Sequence, residues 1–437
     1  MIVRRSVQFV DERLGTAGFA RRALNKAFPD NWSFMFGEIA LYAFVVLVAT
    51  GTFLAFFYNP SARVVTYNGS YRPLRHVHMT LAYRSVLRIS FDVRAGLVMR
   101  QMHHWAALVF IGAITLHCIR IFFTGAFRRP RELNWIIGLT LLLLGMFNGF
   151  SGYSLPDDLL SGTGLRIAYS IILSVPLVGE WAAFLVFGGK FPAEDILSRL
   201  FVLHIFLVPA AIAALLTIHL AILWRQKHTQ FPGPGRTERN VVGSRLWPTY
   251  AVKSLGLFAI VVGVLGGLGG LFQINPVWLY GPFEAAAVTT AAQPDWYVGW
   301  LEGALRLAPP WQLHIFGGTI SEVFWPGVLL PGVLFGLLYA WPFLEQRVTG
   351  DRAEHHLLDR PRDRPVRSGI GVAGITFFGV LLLAGGQDVV SAHFGLSITF
   401  VTRTLQVLVF VLPVAAGLLT WKWCRDLRAA EERRARR

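Results

Sequence analysis

The chain has few cysteines and few charged residues for its length of 437 residues. Its two cysteines, Cys118 and Cys424, offer neither a disulfide framework nor the spacing of a metal site. Charged residues make up only 15% of the chain, whereas soluble domains contain about 25%. Hydrophobic residues make up 54%. The composition therefore indicates an integral membrane protein.

A cleavable signal peptide is not expected either, because residues 1–30 are basic and have no apolar run before a small-residue site. The net charge of +16 is spread over loops and tails between apolar runs. We therefore expect no nucleic-acid partner and attribute the charge to membrane orientation and anionic lipid. The segment 5–26 mixes basic and apolar residues and is predicted to lie on the membrane surface.

Eight apolar runs approach or exceed the roughly 20 residues that a helix needs to cross a bilayer. We name them spans A to H: 34–57, 96–123, 133–153, 199–224, 251–272, 322–342, 369–385 and 399–421. The stretch 154–198 is predicted to form short interfacial helices. The predicted fold is thus an all-α integral membrane protein. Its predicted domains are a cytoplasmic amphipathic segment 1–33, a bundle of spans A–D at 34–226, a region of spans E–H at 227–425 and a basic tail 426–437.

The basic residues predict the orientation of these spans. Of 41 lysines and arginines, 29 lie in the terminal segments and in the B–C, D–E and F–G loops. Because cytoplasmic loops are enriched in such residues, both termini are predicted to be cytoplasmic. The arginine-rich A–B loop is an exception. Either it binds anionic groups on the outer face, or the predicted boundary of span B is wrong.

Two spans carry paired histidines. His103 and His117 in span B are fourteen residues apart, so they share one helical face about 21 Å apart along the axis. His204 and His219 in span D are fifteen apart. One span separates B from D, so the two run parallel, and His103 faces His204 while His117 faces His219. Such facing imidazoles are typical ligands of haem iron and predict two stacked haems.

A single histidine in an apolar helix is more often a packed residue or part of a proton path, and only the matched depths of four favour ligation. His104 has no helical mate, because residue 118 is cysteine, and it points about 100° away from His103. We interpret it as structural or as a hydrogen-bonding neighbour of the outer haem.

Glycines and arginines in the same spans fit this arrangement. Gly37 and Gly51 in span A, and Gly138 and Gly152 in span C, are also fourteen residues apart. A flat macrocycle against a helix requires positions without Cβ, although glycines also serve ordinary helix contacts. The predicted bundle therefore surrounds two b-type haems. The candidate partners of the haem propionates are Arg100, Arg120 and Arg199.

Two further motifs bring the chain close to a known family. Span C ends in Gly152-Tyr-Ser-Leu-Pro156, and the E–F loop carries Pro294-Asp295-Trp296-Tyr297. With the histidine and glycine pairs, they resemble cytochrome b of the quinol-oxidising cytochrome bc complexes, over nearly the whole chain. The eight spans resemble the fused form of that family. The aspartate in the loop motif is most similar to the actinobacterial respiratory form, which implies menaquinone as substrate.

The resemblance implies quinol oxidation at the outer face. One electron would pass to a Rieske iron–sulfur protein and a cytochrome c subunit, and the other through two non-covalent haems to a quinone at the inner face, coupled to proton translocation. Asp295 would accept a quinol proton. Tyr297 and Tyr153 would shape the pocket or relay hydrogen bonds, and Pro294 and Trp296 would belong to it.

The inner quinone site departs from the family pattern. Trp224 and Ser254 stand where the family commonly has a histidine and an aspartate. Lys253 and His228 are the candidate substitutes. Spans F to H show no comparable constellation, and Gln387 is interpreted as a turn residue.

The resemblance also implies a bacterial cell-membrane location, lipid contact, a homodimer and a terminal oxidase as a supercomplex partner. Two alternatives stay open at this stage. One is a two-haem membrane anchor of a hydrogenase or formate dehydrogenase, which is shorter and lacks the loop motif. The other is a transporter or channel with a histidine proton relay, which would bind no haem.

Overall fold

The structure is a computed structural model, and it describes residues 6, 9, 11–13, 15–287, 293–315 and 318–435. Of the predicted membrane-surface segment, Arg5, Val7, Val10 and Leu14 lie outside the described residues. The described part contains helix α1, Thr16–Leu24, whose last turn carries Arg21 and Arg22. No residue of α1 is buried, in agreement with a surface position.

All eight predicted spans are confirmed as helices long and apolar enough to cross a membrane. Spans A to H are Trp32–Ala55, Gly96–Thr124, Glu132–Tyr153, Ile196–Gln226, Leu246–Leu271, Trp325–Thr349, Pro365–Gly385 and Ile398–Arg434. Span B begins at the predicted residue, so a misplaced boundary does not explain the arginine-rich A–B loop. Span H continues well beyond its predicted end, through most of the basic tail.

Spans A to D form a bundle with a shared apolar core. The core contains Ala43 from span A, Ile111 from span B, Leu141 from span C and Ile212 from span D. Tyr297 of the E–F loop is 3% exposed and belongs to the same core. The loop motif is therefore held against the four-helix bundle by apolar burial, although it lies far away in sequence.

The remaining spans surround this bundle. Span E packs on spans A and B through Val261 and Leu265. Span F contacts span C, where the Trp135 indole donates a hydrogen bond to the Leu338 carbonyl. Spans G and H pack together and enclose Trp300 from the E–F loop. The E–F loop therefore packs against spans A–D on one side and against spans G and H on the other.

Shorter elements close the ends of the bundle. Helices α2 to α7 are Leu81–Phe91, Leu159–Leu173, Gly179–Phe187, Val277–Tyr280, Trp296–Leu307 and Gln387–Phe394. Helices α3 and α4 confirm that much of the stretch 154–198 forms short helices. Strands β1 to β6 are Ala27–Phe28, Val64–Thr66, His78–Thr80, Ser244–Arg245, Leu313–Ile315 and Gly318–Ile320. They form the antiparallel pairs β1–β4, β2–β3 and β5–β6.

Candidate functional site

The outer histidine pair, His103 and His204, has the geometry of a ligand pair. The ring centroids are 6.1 Å apart. Nδ1 of His204 donates to the Asn148 carbonyl at 2.9 Å, and Nδ1 of His103 lies 2.9 Å from the Thr50 hydroxyl. With the proton on Nδ1, Nε2 keeps its lone pair for a metal. Because a metal–imidazole bond takes about 2 Å, as it does for zinc, one metal ion fits between the rings.

A local π-helical turn explains the different spacings in spans B and D. Residues Leu203–Leu207 form this turn just before Pro209, whose ring nitrogen cannot donate to the preceding turn. A π turn takes up one extra residue. His204 and His219 therefore keep a common face at a spacing of fifteen, as His103 and His117 do at fourteen. The sequence alone does not explain why the two histidine spacings differ by one residue.

The inner histidine pair, His117 and His219, leaves polar atoms without partners. Nδ1 of each is buried and has no hydrogen-bond partner among the described residues. Buried polar atoms are rarely left unpaired, but a metal bound at Nε2 would not satisfy them, because Nδ1 is the other ring nitrogen. Among the described residues no cluster of three or more His, Cys, Asp or Glu forms a metal site.

Each predicted glycine faces the histidine of its own depth. A Cβ at Gly51 would lie 3.1 Å from Cε1 of His103, and one at Gly37 would lie 3.3 Å from Cε1 of His117. In span C, Gly152 faces His204 so closely that a Cβ would overlap the ring, while Gly138 faces His219 at 3.6 Å. Gly37, Gly51 and Gly152 thus leave beside the histidine rings the space that a Cβ would take, whereas Gly138 is less crowded.

Two of the three candidate arginines have unpaired guanidinium nitrogens. Arg100 donates to the Asn275 carbonyl at 3.0 Å, but its Nε and Nη2 are buried without partners among the described residues. Nη2 of Arg120 is likewise unpaired. Both fit an anionic propionate. Arg199 differs, because its guanidinium donates to the Leu185 carbonyl at the end of α4.

A cavity of about 1320 Å³ lies beside the outer pair. Its wall combines α3, span D and the E–F loop and includes Tyr153, Pro294 and Arg199. Helix α3 is fixed by Asp158, which forms a capping box with Ser161. Burial raises the pKa of Asp158 to about 6. The cavity is large enough and apolar enough for a hydrophobic ligand.

Asp295 has two hydrogen-bond partners in the bundle. Its Oδ1 lies 2.9 Å from Nε2 of His104, and its Oδ2 accepts from the Tyr297 hydroxyl at 3.0 Å. The His104 side chain is 13% exposed and that of Asp295 16%. Trp296 lies against Gly112 of span B. His104 therefore orients the predicted proton acceptor, a contact that its position next to His103 did not indicate.

The sequence gave no indication of two carboxylates in the cavity wall. Glu302 and Arg306 of α6 line the cavity together with Asp388 of α7. Arg306 pairs with both carboxylates, and the Gln293 amide also donates to Asp388. Oε2 of Glu302 is buried without a hydrogen-bond partner among the described residues. Gln387, interpreted as a turn residue, lines the cavity as well.

The predicted inner-site residues occupy two environments. Lys253 donates a hydrogen bond to Asp30 at 2.8 Å on an exposed surface. The two residues form a solvated ion pair. His228 packs against Phe28 with ring centroids 4.6 Å apart. Burial, together with nearby Lys26 and Arg131, lowers the pKa of His228 to about 4. His228 is therefore neutral near pH 7.

Comparisons with known proteins show which proteins this chain resembles in sequence. A family model described as "Cytochrome b(N-terminal)/b6/petB" matches residues 108–282. The "Cytochrome bc1 complex cytochrome b subunit" of Mycobacterium bovis is 52% identical over 431 residues, 98% of this chain and 78% of that relative. The subunit of the same name from Corynebacterium diphtheriae is 50% identical over 97% of this chain and 78% of the relative. The one from Streptomyces coelicolor is 48% identical over 98% and 78%.

A solved structure shows the same fold. The chain named "Hyperthermophilic respiratory Complex III" superposes with a TM-score of 0.70 and 21% sequence identity. The match covers 95% of this chain and all of the other.

Proposed function

Because the chain belongs to the cytochrome b family of cytochrome bc1 complexes, we propose that it oxidises quinol at the cavity beside the outer histidine pair. As a cytochrome b it is the catalytic membrane subunit of a quinol–cytochrome c oxidoreductase. We infer a bacterial cell-membrane location with both termini cytoplasmic, which the distribution of basic residues supports. The substrate that we propose is menaquinol.

The four histidines are proposed to hold two b-type haems. His103 and His204 would ligate the outer one, and His117 and His219 the inner one. When bound, these haems would supply one-electron transfer between the two membrane faces. The glycines facing the four rings support this assignment, as do the unpaired nitrogens of Arg100 and Arg120. No covalent attachment is proposed.

Quinol oxidation requires a group that accepts a proton from the quinol hydroxyl. The Asp295 carboxylate has that chemistry and lies directly after Pro294 in the cavity wall. His104 and Tyr297 hold its two oxygens, so the carboxylate is pre-oriented. Tyr153 lines the same cavity and would contact the quinol ring.

The products of this reaction define the proposed partners. One electron would go to a Rieske iron–sulfur subunit and then to a cytochrome c subunit. The other would pass to a quinone near the inner pair, so that two quinol oxidations reduce one quinone, and proton release outside and proton uptake inside are coupled to electron flow. A homodimer and a terminal oxidase are the further partners that we propose.

The single observation that carries the proposal is that Asp295 is hydrogen-bonded to both His104 and Tyr297 and directly follows Pro294, which lines the cavity. In Asp295→Asn, which keeps the shape but not the basicity, quinol oxidation by the purified complex should slow by about 100-fold. Both haem spectra should remain. The matched control is Asp92→Asn, an exposed A–B loop carboxylate that bonds Ser70. Unchanged turnover in Asp295→Asn would reject Asp295 as the proton acceptor.

A further inference from the structure

A carboxylate in span A is surrounded by three hydroxyl groups at the end of the bundle near the inner histidine pair. Tyr250 donates a hydrogen bond to Oε1 of Glu38, and Ser254 donates to Oε2 at 3.2 Å. The Tyr42 hydroxyl bonds both Ser254 and Oε2 of Glu38. We call Glu38, Tyr42, Tyr250 and Ser254 the Glu38 cluster. It joins spans A and E across more than 200 residues of sequence.

The cluster lies at the depth of His117. Gly37, the residue before Glu38, faces the His117 ring at 3.3 Å. Adjacent helical positions are rotated by about 100°, so Glu38 faces span E while Gly37 faces the bundle interior. The Phe28 ring stacks on Tyr250 with centroids 4.3 Å apart. Phe28 also contacts His228, so an aromatic wall stands beside the hydroxyls.

The Glu38 carboxyl lacks the partner that a structural carboxylate in a membrane helix would have. A carboxylate there is costly unless it is paired or functional. The neighbouring cation, Lys253, bonds Asp30 and Ser244 instead. Among the described residues, the hydrogen-bond partners of the Glu38 side chain are all hydroxyls. A carboxyl group with hydroxyl partners and no cation can carry a proton and pass it on through them.

We infer that Glu38 is the proton donor for quinone reduction at the inner face, with Tyr42, Tyr250 and Ser254 as its hydroxyl relay. This inference rests on the proposed function, which supplies the electrons. The quinone takes up two electrons and two protons and becomes quinol. Glu38 gives one proton to a quinone oxygen directly or through a hydroxyl, is reprotonated from cytoplasmic water, and then gives the second proton.

This assignment accounts for the serine in span E. Ser254 stands where the family resemblance places an aspartate. In this chain the carboxyl group is that of Glu38 in span A, and it accepts a hydrogen bond from Ser254 in span E. The stacked Phe28 and Tyr250 rings would form one wall beside the quinone head group.

The first test reads the carboxyl group itself and needs no turnover. A short-chain menaquinone is added to the oxidised complex, and the infrared difference spectrum is recorded in the carboxyl C=O region. We expect a band in the parent complex and in Asp30→Asn, and its loss in Glu38→Gln. Asp30 is the control because it is a nearby carboxylate outside the cluster, bonded to Lys253. A band that persists in Glu38→Gln would overturn the inference.

The second test follows electrons entering through the inner site. In an Asp295→Asn background, short-chain menaquinol is added and reduction of the inner haem is timed. Glu38→Gln should slow this step by about 100-fold, Glu38→Asp should restore part of the rate, and Asp30→Asn should leave it unchanged. Normal haem spectra in every variant exclude misfolding.

The outcomes separate the two proposals. If the inner haem of Glu38→Gln is reduced as fast as that of the parent complex, Glu38 does not have the inferred role, while the proposed function is unaffected. A parent complex that oxidises no quinol and contains no haem would instead refute the proposed function.

Discussion

At the residue scale, the chemistry depends on side chains that a hydrogen bond to a neighbouring group holds in one orientation. His204 uses Nδ1 for the Asn148 carbonyl, and Asp295 has both carboxylate oxygens bonded. In each case the neighbour determines which way the reactive atom points. His104 has such an orienting role, because it touches Asp295 and the structure gives it no place in the cavity wall.

We predict that His104 acts as a positioning residue. In His104→Ala the Asp295 carboxylate loses one of its two partners, so kcat for quinol oxidation should fall by about 10-fold, in line with the cost of one lost hydrogen bond to a charged group. The KM for quinol should change little, because the cavity wall is intact. His104→Gln, whose amide can still donate, should recover most of the rate. Equal loss in both variants would argue against positioning.

At the element scale, close approach between helices determines which substitutions the bundle tolerates. Gly152 and Gly138 occupy equivalent positions at the two ends of span C, but their surroundings differ. A Cβ at Gly138 would be in ordinary van der Waals contact with His219 at 3.6 Å, whereas one at Gly152 would overlap His204.

This difference predicts unequal effects of the same substitution. Gly152→Ala should destabilise the protein by about 1–3 kcal/mol through overpacking and displace the His204 ring. The purified variant should therefore contain less haem at the outer site and melt at a lower temperature. Gly138→Ala is the matched control and should keep both haems. Similar haem contents in the two variants would contradict this explanation.

The spans themselves were predictable from the sequence, because apolar length and helical spacing are local properties. The histidine and glycine pairs followed from the same regularity. The π turn before Pro209 was not predictable, since it replaces one hydrogen-bonding pattern by another without changing composition. The positions of Glu302 and Asp388 in the cavity wall were not predictable, because each residue alone resembles an ordinary charged residue near a helix end.

At the scale of the whole molecule, contacts between distant segments assemble the sites. Asp295 and His104 are separated by 191 positions in sequence, and Ser254 and Glu38 by 216. No periodicity predicts such pairs, because they arise only when the two halves of the chain pack together. The Lys253 prediction shows the same limit, since its Asp30 partner depends on the pairing of β1 with β4.

A buried ion network also joins the two halves. Arg367 is 3% exposed at its side chain and pairs with Glu345 of span F and with Asp359 of the F–G loop. Asp359 in turn pairs with Arg128 of the B–C loop. The network therefore connects the bundle of spans A–D to spans F and G.

We predict that Arg367→Met destabilises the complex by about 3–5 kcal/mol, because Glu345 loses its buried cation and Asp359 loses one of its arginines. The melting temperature of the purified protein measures this change. The control is Arg360→Met, since Arg360 forms an exposed pair with Glu431 and should contribute about 1 kcal/mol or less. Equal melting temperatures for the two variants would show that the network does not stabilise the fold.

The central claim is that four histidines on two parallel spans hold two haems, and a pyridine haemochrome count per polypeptide tests it most directly. We predict two b-type haems in the parent protein. His103→Leu or His204→Leu should leave one, and so should His117→Leu or His219→Leu, with the outer haem lost in the first pair and the inner haem in the second. A colourless parent protein, or four variants that all retain two haems, would contradict the account.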